Sequence, residues 1–159
     1  SNLKLAFCTY VRPILEYACQ IWSPHTVKGI ALVENVQRRL TKSITKLHFL
    51  PYSKRLISLD LPSLRNRRIH IDLCTVYRIL HHLIFLDPLL FFTLHPVSIT
   101  RGHPFTLRKP PVRLDSNKFA FYARVINPWN ALPIPVVSAN NIIDFKIKLR
   151  FHLKQFLLF

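Results

Sequence analysis

Apolar residues recur at helical spacing along most of this 159-residue chain. The clearest run covers 27–47, where Ile30, Val33, either Val36 or Gln37, and Leu40 return every three or four residues and predict one face of a helix. The opposite face of this run is polar and basic. Alternation with a period of two, which marks a half-buried strand, is scarce outside 95–117. The pattern therefore predicts a mainly α fold in which any sheet is minor.

Proline and capping residues divide the chain into further predicted helices. We predict a kink or break at Pro13 because proline lacks the amide that a continuous helix needs. Ser63 and Asn141 are predicted N-caps, since their side chains can accept hydrogen bonds from the first free amides of a helix. Prolines rule out a continuous helix between 95 and 117. The predicted helices are 3–22, 27–47, 53–59, 63–85, a short one near 119–126, and an amphipathic one from residue 142 onward.

These elements predict a helical bundle with a Pro-rich irregular segment and a C-terminal amphipathic helix. We divide it into a helical region at 1–94, a Pro-rich basic loop or linker at 95–118, and a C-terminal helical region at 119–159 that packs on the first. The chain has no Met and begins within an apolar helical pattern. We therefore expect it to be a segment of a longer protein.

The charge balance indicates a polyanionic partner for this helical protein. The chain carries 23 Lys and Arg against 7 Asp and Glu, a formal net charge of +16. Between Asn35 and Leu59 there are six Lys or Arg and no acid. Self-repulsion of this kind destabilises a compact state unless an anion offsets it. A nucleic acid, bound through its phosphates, is the leading candidate.

Three clusters of cations are the candidate phosphate contacts. The first is a ridge on the predicted 27–47 helix, where Glu34 is the only acid. The second lies at the start of the 63–85 helix, where cations are unfavourable unless an anion is near. The third lies in the Pro-rich segment. Solvated helix faces and a dangling loop are the alternatives. The candidate contacts are Arg38, Arg39, Lys42 and Lys46 in the first cluster, Arg67 and Arg68 in the second, and Arg101, Arg108 and Lys109 in the third.

Other chemistry is poorly supported by the spacing of the acids, histidines, cysteines and glycines. No two acids are closer than twelve residues, whereas two-metal catalysis needs carboxylates close enough to share ions. No short pair of zinc ligands occurs, and Gly29 and Gly102 alone cannot form a Gly-rich phosphate loop. We expect no catalytic residue, no metal and no cofactor in this segment. Cysteines without a CxxC pair favour an intracellular protein, and the apolar stretch 83–94 is too short to span a membrane.

Aromatic side chains offer a second way to bind single-stranded nucleic acid, by stacking on bases. Helical spacing of Tyr10 with Tyr17, and of Phe119 with Tyr122, favours core packing instead. The same two alternatives hold for Trp129. Core packing is the prediction that we carry forward for these residues.

Several blocks of the sequence resemble one family, and they occur in the order that the family has. They are VRPILEYACQIWSP at 11–24, ALVENVQRRLTKSI at 31–44, RLISLDLPSLRNRRIHIDLCTVYRILH at 55–81, TRGH at 100–103 and FAFYARVINPWNALP at 119–133. Together they resemble the region after the polymerase core in reverse transcriptases of non-LTR retrotransposons of the jockey-like LINE type. The resemblance covers essentially the whole chain.

The resemblance implies that the chain is the thumb and C-terminal portion of an RNA-directed DNA polymerase. In the family this portion holds the template and primer duplex, so the implied partners are RNA, DNA, and the upstream palm and fingers of the same polypeptide. The paired-aspartate catalytic motif, with the Mg²⁺ expected for the whole polymerase, belongs upstream, and no Asp-Asp pair occurs here. The implied contacts are the basic helix at 38–46 and Arg101. The expected location is the nucleus, the cytoplasm or both.

Two other interpretations remain open. The chain could be a decayed or domesticated retrotransposon fragment that acts only as a structural or protein-interaction domain. It could also be an enzyme in its own right, against which the spacing of the acids argues. Binding that weakens with salt separates a nucleic-acid-binding segment from a structural fragment.

Overall fold

The computed structural model describes residues 2–95, 103–111 and 115–156, apart from a few side chains at the ends of these ranges. The predicted mainly α fold is confirmed, because helices account for most of the described residues. By their contacts the residues form two compact units, the first at 1–68 and 153–159 and the second at 69–152. The boundaries of these units differ from those of the predicted regions 1–94, 95–118 and 119–159. Compactness does not test whether those segments are domains, so that division stays a prediction.

One long helix and several short helical segments form the first unit. A π-helical turn at Phe7–Val11 joins the helix Asn2–Ala6 to the helix Arg12–Glu16. The helix Tyr52–Ser58 has Leu59 as its C-cap and is followed by a left-handed residue, Asp60, whose φ is 45°. The helices are α1 (Asn2–Ala6), α2 (Arg12–Glu16), α3 (Cys19–Trp22), α4 (Val27–Lys42), α5 (Tyr52–Ser58) and the first turn of α6 (Leu64–Leu80).

The second unit contains most of α6 and the C-terminal helices. A two-stranded antiparallel ribbon pairs Thr93 with Arg108 and Leu94 with Leu107. The other elements are α7 (Pro88–Phe91), β1 (Thr93–Leu94), β2 (Leu107–Arg108), α8 (Asp115–Lys118), α9 (Phe121–Arg124), α10 (Ile126–Asn130), α11 (Ile134–Val137) and α12 (Ile142–Phe156). The last turn of α12 belongs to the first unit.

The predicted helix at 3–22 is interrupted where its sequence resists a regular helix. Pro13 lies in the first turn of α2, where its missing amide costs no helical hydrogen bond. Ala18 adopts a left-handed conformation with φ of 47° and separates α2 from α3. The helical conformation continues through Pro13, with a π-helical turn at Phe7–Val11 before it, so the predicted kink or break takes the form of this irregular turn. The break at Ala18 was not predicted.

Two of the longer helices end earlier than predicted. The chain leaves α4 at Ser43, whose amide and hydroxyl both donate to the carbonyl of Arg39 at 3.1 Å. In α6, His82 takes a left-handed conformation and the amide of Leu83 donates to the carbonyl of Arg78 at 2.8 Å. This is a Schellman ending, which glycine usually supplies. The sequence did not predict this ending, because the left-handed position is occupied by histidine and not by glycine.

The predicted caps of the later helices are confirmed. The hydroxyl oxygen of Ser63 accepts a hydrogen bond from the amide of Asn66 at 3.1 Å. Asn141 accepts from the amides of Ile143 and Asp144 at 2.9 and 2.8 Å. Both side chains satisfy amides that have no carbonyl partner within the helix.

Stacked aromatic rings form the core of the second unit. The ring of Tyr77 lies 4.3 Å from that of Phe145 and 4.1 Å from that of His81, measured between centroids. Trp129 is fully buried and its indole N–H donates to the carbonyl of Phe105 at 2.8 Å. Burial of several aromatic side chains supplies much of the apolar area that stabilises a small unit.

Candidate nucleic-acid interface

The three buried side chains of α4 are polar, whereas Ile30, Val33 and Leu40 of the predicted apolar face are half-buried. Glu34, Gln37 and Thr41 are 6 %, 1 % and 0 % exposed. Val36, a predicted alternative to Gln37 on the apolar face, is 38 % exposed. Buried polar groups are tolerated only when they have hydrogen-bond partners. The partners of these three side chains lie on α5 and at the start of α6.

Glu34 connects α4 to both of the following helices. Its carboxylate accepts a hydrogen bond from the Tyr52 hydroxyl, and from the amides of Leu64 and Arg65 at 3.2 and 3.3 Å. Burial, followed by the hydrogen bond to Glu34, raises the pKa of Tyr52. The tyrosine therefore stays protonated and donates to the carboxylate. Glu34 thus acts as a cap that places negative charge at the N-terminus of α6.

Gln37 and Thr41 complete this network. The amide nitrogen of Gln37 donates to the Tyr52 hydroxyl at 3.1 Å and to the carbonyl of Pro62 at 3.0 Å. Thr41 accepts from the Nη1 of Arg55 at 3.1 Å. The network fixes α4 by its polar side. It leaves Lys28, Arg39 and Lys42 exposed, whereas the guanidinium of Arg38 lies over the Tyr52 ring.

The exposed charges of α4 are all positive. Lys28, Arg38, Arg39 and Lys42 are exposed, whereas the one acid of the helix, Glu34, is buried. Solvated helix faces normally mix positive and negative side chains. Burying the only acid leaves this face, which we call the α4 cationic face, with no negative charge from its own helix.

The structure separates the four predicted contacts on this segment. Arg38, Arg39 and Lys42 lie in the last turns of α4. Lys46 is exposed as well, but it lies beyond the end of the helix, in the turns that follow Ser43. The predicted continuous ridge to Lys46 was wrong in this respect, because Ser43 ends the helix.

The cations at the start of α6 have internal partners. The guanidinium of Arg67 donates from Nε and Nη2 to the two carboxylate oxygens of Glu16, at 2.7 Å each. Arg68 is buried, with 3 % exposure. Glu16 and Glu34 therefore supply the negative charge that we had expected from a polyanion. Phosphate binding by Arg67 and Arg68 stays a prediction, and nothing in their surroundings supports it.

The predicted contacts in the Pro-rich segment are only partly described. Arg108 lies on β2 and Lys109 follows it, and both are exposed. Arg101 lies outside the described residues. Arg108 and Lys109 belong to the second unit, whereas the α4 cationic face belongs to the first.

Each acid whose side chain is described has a partner within the chain. The carboxylate of Asp72 pairs with the guanidinium of Arg124, at 3.1 Å to Nε and 3.2 Å to Nη2. Asp87 accepts from the amide of Leu89 and so caps α7. The other pairs are Glu16 with Arg67, Asp60 with Lys154, and Asp144 with Lys148. The carboxylates thus serve as caps and ion-pair partners.

The predicted core positions of three aromatic residues have different outcomes. The predicted core position of Trp129 is confirmed. Tyr10 and Tyr17 are 72 % and 80 % exposed, so for them the prediction of core packing was wrong. Ile14 and Ile21 between and beside them are also exposed. Large exposed apolar patches commonly mark contacts with other protein surfaces.

Metal binding and membrane insertion find no support in the part of the chain that the structure describes. No group of three or more His, Cys, Asp and Glu side chains among those residues could hold a metal ion. The Sγ of Cys74 and the Nδ1 of His70 lie 3.7 Å apart on α6, but these two side chains are not part of any such group of three within the described ranges. Across the same residues, no helix combines the length and the apolar character needed to cross a bilayer.

Two of the sequence blocks that carry the family resemblance lie in contact with each other. His103, the last residue of the TRGH block, has its Nε2 at 3.1 Å from the carbonyl oxygen of Trp129. Asn130 binds both the amide and the carbonyl of Leu107, at 2.9 and 2.8 Å. These residues therefore hold the ribbon against α10.

Comparisons of this chain with protein-family models, with curated proteins and with solved structures found no match. The site has therefore to be interpreted from its own residues.

Sequence reasoning missed the network that orients the α4 cationic face. It assigned Glu34 to the exposed side and gave Tyr52 and Arg55 no role. The available signal was the spacing of Glu34, Gln37 and Thr41, which places three polar residues on one side of the helix. Hydrophobic periodicity is read from apolar residues only, so it does not detect a buried row of polar residues.

Proposed function

We propose that this chain is a nucleic-acid-binding segment of a non-LTR retrotransposon reverse transcriptase, and that it holds the template and primer through their phosphates. The observation that carries the proposal is the α4 cationic face, whose exposed charges are all positive. Phosphates are its natural partner because basic side chains displace the counterions of the nucleic-acid backbone.

The assignment to a polymerase rests on the sequence blocks at 11–24, 31–44, 55–81, 100–103 and 119–133. In this proposal the segment has no catalytic role and needs no cofactor of its own. The catalytic aspartates and Mg²⁺ belong to the upstream palm of the same polypeptide, which is also a partner of this segment. The proposed location is intracellular, in the nucleus, the cytoplasm or both.

The α4 cationic face fits a polyanion better than a small anion. Its cations extend from Lys28 in the first turn to Lys42 in the last turn. A helix of this length spans about 24 Å, at about 1.5 Å per residue, which is several times the spacing of phosphates along a nucleic-acid strand. Leu32 and Val36 are exposed beside Arg39 and line an open depression with Asn35. Such apolar side chains can contact sugars and bases while the cations contact phosphates.

The test is the affinity of the whole chain for an RNA–DNA hybrid, and for single strands, measured over a range of salt concentrations. The logarithm of the binding constant should fall linearly with the logarithm of salt, by about 0.7–0.9 for each phosphate contacted. An unrelated, non-nucleic-acid-binding protein of similar net charge is the control. Equal affinity and equal salt dependence in the two proteins would contradict the proposal.

A second candidate function is a structural or protein-interaction fragment derived from a retrotransposon. The exposed side chains of Tyr10, Ile14, Tyr17 and Ile21 favour it, since they offer an apolar surface. Under this alternative, substituting these four by polar residues changes association with protein partners, and removing the charges of α4 leaves nucleic-acid binding unchanged.

A further inference from the structure

Arg55 carries a buried positive charge. Its side chain belongs to α5 and is 8 % exposed. Within the described ranges, no carboxylate forms an ion pair with it. A buried charge is costly unless a counterion or hydrogen bonds compensate it.

Only part of the Arg55 guanidinium is used by the fold. Its Nη1 donates to the carbonyl of Arg38 at 3.0 Å and to the hydroxyl of Thr41 at 3.1 Å. Its Nε is buried and has no hydrogen-bond partner among the described residues. Arginine has five N–H donors. The two contacts of Nη1 fix α5 to the C-terminal part of α4, where the helix dipole favours a cation.

A second guanidinium lies at the same aromatic ring. The Cζ of Arg38 is 4.8 Å from the centroid of the Tyr52 ring, and the Cζ of Arg55 is 5.5 Å from it. Arg38 is exposed and belongs to the α4 cationic face. Each cation gains from the ring. The two guanidinium groups, both within 5.5 Å of one centroid, carry like charges that repel each other. An anion placed at both guanidinium groups would offset the repulsion.

We propose that Arg38 and Arg55 bind the same phosphate of a nucleic-acid backbone, with Tyr52 holding both side chains in place. We call these three residues the arginine–tyrosine cluster. This inference rests on the proposed function and adds to it one defined phosphate position. Arg38 is the exposed contact, and Arg55 is a deeper one that sequence analysis did not identify.

The chemistry of the guanidinium favours this assignment over a general attraction. Arginine presents donors in a planar fork that can bind the fold on one side and phosphate oxygens on another. Lysine in place of Arg55 would keep the charge but could not bind the fold and the phosphate with separate donors of one planar group. Arg55→Lys is therefore the informative substitution, because it leaves the net charge of the chain unchanged.

The first experiment observes the unmodified protein. The guanidinium N–H signals of Arg38 and Arg55 are followed by nitrogen NMR while a short single-stranded oligonucleotide, or inorganic phosphate, is added. The proposal expects both side chains to respond together to the oligonucleotide, and at a much lower concentration than to inorganic phosphate. A response of Arg38 without Arg55 overturns it. An equal response to both ligands at equal concentrations would indicate a site for free phosphate only, which also overturns it.

The second experiment measures coupling between the two arginines. Arg38→Gln and Arg55→Lys should each weaken oligonucleotide binding roughly tenfold, the effect of losing one charge-assisted contact. The double variant should be little weaker than either single one, because both side chains bind one phosphate. Independent contacts would instead give roughly a hundredfold loss, which contradicts the proposal.

The Arg39→Gln variant distinguishes failure of the arginine–tyrosine cluster from failure of the proposed function. If it weakens binding while Arg38→Gln and Arg55→Lys do not, the cluster is wrong and the proposed function stands. If none of the three variants changes binding, both fail. Circular dichroism and thermal melting show whether Arg55→Lys is folded. Should it be unfolded, the NMR titration of the unmodified chain decides.

Discussion

Replacing Glu34 by alanine should cost far more stability than replacing an exposed acid. The substitution removes the acceptor of the Tyr52 hydroxyl and of the amides of Leu64 and Arg65. A buried donor left without an acceptor costs about 1–3 kcal/mol, and loss of a helix cap costs about 1 kcal/mol. Leu64 is buried and Tyr52 is half-buried, whereas Arg65 is exposed and water can reach its amide. We therefore expect a loss of about 3–5 kcal/mol in the free energy of unfolding.

The assay is urea unfolding followed by circular dichroism, with Glu34→Gln and Asp60→Asn as matched variants. Glutamine keeps one acceptor oxygen but loses the charge at the start of α6, so its cost should be about 1–2 kcal/mol. The Asp60 side chain is 62 % exposed and pairs with Lys154, so its loss should cost less than about 1 kcal/mol. If Glu34→Ala costs no more than Asp60→Asn, the network does not hold α4 in the orientation that we describe.

Three further predictions concern the second unit. Burial lowers the pKa of His81 below its usual 6.5, and the neighbouring His82 adds to the effect. The unfolded chain therefore binds the proton more readily, so the free energy of unfolding should fall as the pH drops below 6.5, and the melting temperature of His81→Phe should depend less on pH. Asp72→Asn should lower the free energy of unfolding by about 2–4 kcal/mol, because it leaves the largely buried guanidinium of Arg124 without its carboxylate, and an unchanged melting temperature would refute this. Asn130→Ala removes both hydrogen bonds to Leu107, so the Leu107 amide should exchange with solvent faster and stability should fall by about 1–3 kcal/mol; unchanged exchange would show that the ribbon is held by other contacts.

The helical class and several helix boundaries followed from the sequence because they depend on local chemistry. Period and capping predicted the start of α6 at Ser63 and of α12 at Asn141, and the structure has both caps. The early end of α6 was missed because it depends on a left-handed His82, a conformation that residue type alone predicts poorly.

The cationic character of the α4 face could be predicted, but its physical basis could not. The sequence showed Arg38, Arg39 and Lys42 together on one helix. It did not show that Glu34 turns inward, since this depends on Tyr52 and on the start of α6, both distant in sequence. Apolar period assigns the buried side to the residues with the greatest hydrophobicity. In α4, satisfied hydrogen bonds outweigh that preference.

The most direct test of the proposed function compares two variants that each lose two positive charges. Arg39→Gln with Lys42→Gln alters the α4 cationic face, and Lys146→Gln with Arg150→Gln alters exposed residues of α12. Binding to an RNA–DNA hybrid is measured for both over the same range of salt. We predict that the α4 variant lowers the slope of log affinity against log salt by about 1.4–1.8, the value for two lost phosphate contacts, and that the α12 variant leaves it nearly unchanged. Equal changes in the two variants would show that binding follows net charge alone and would contradict a phosphate-binding site on α4.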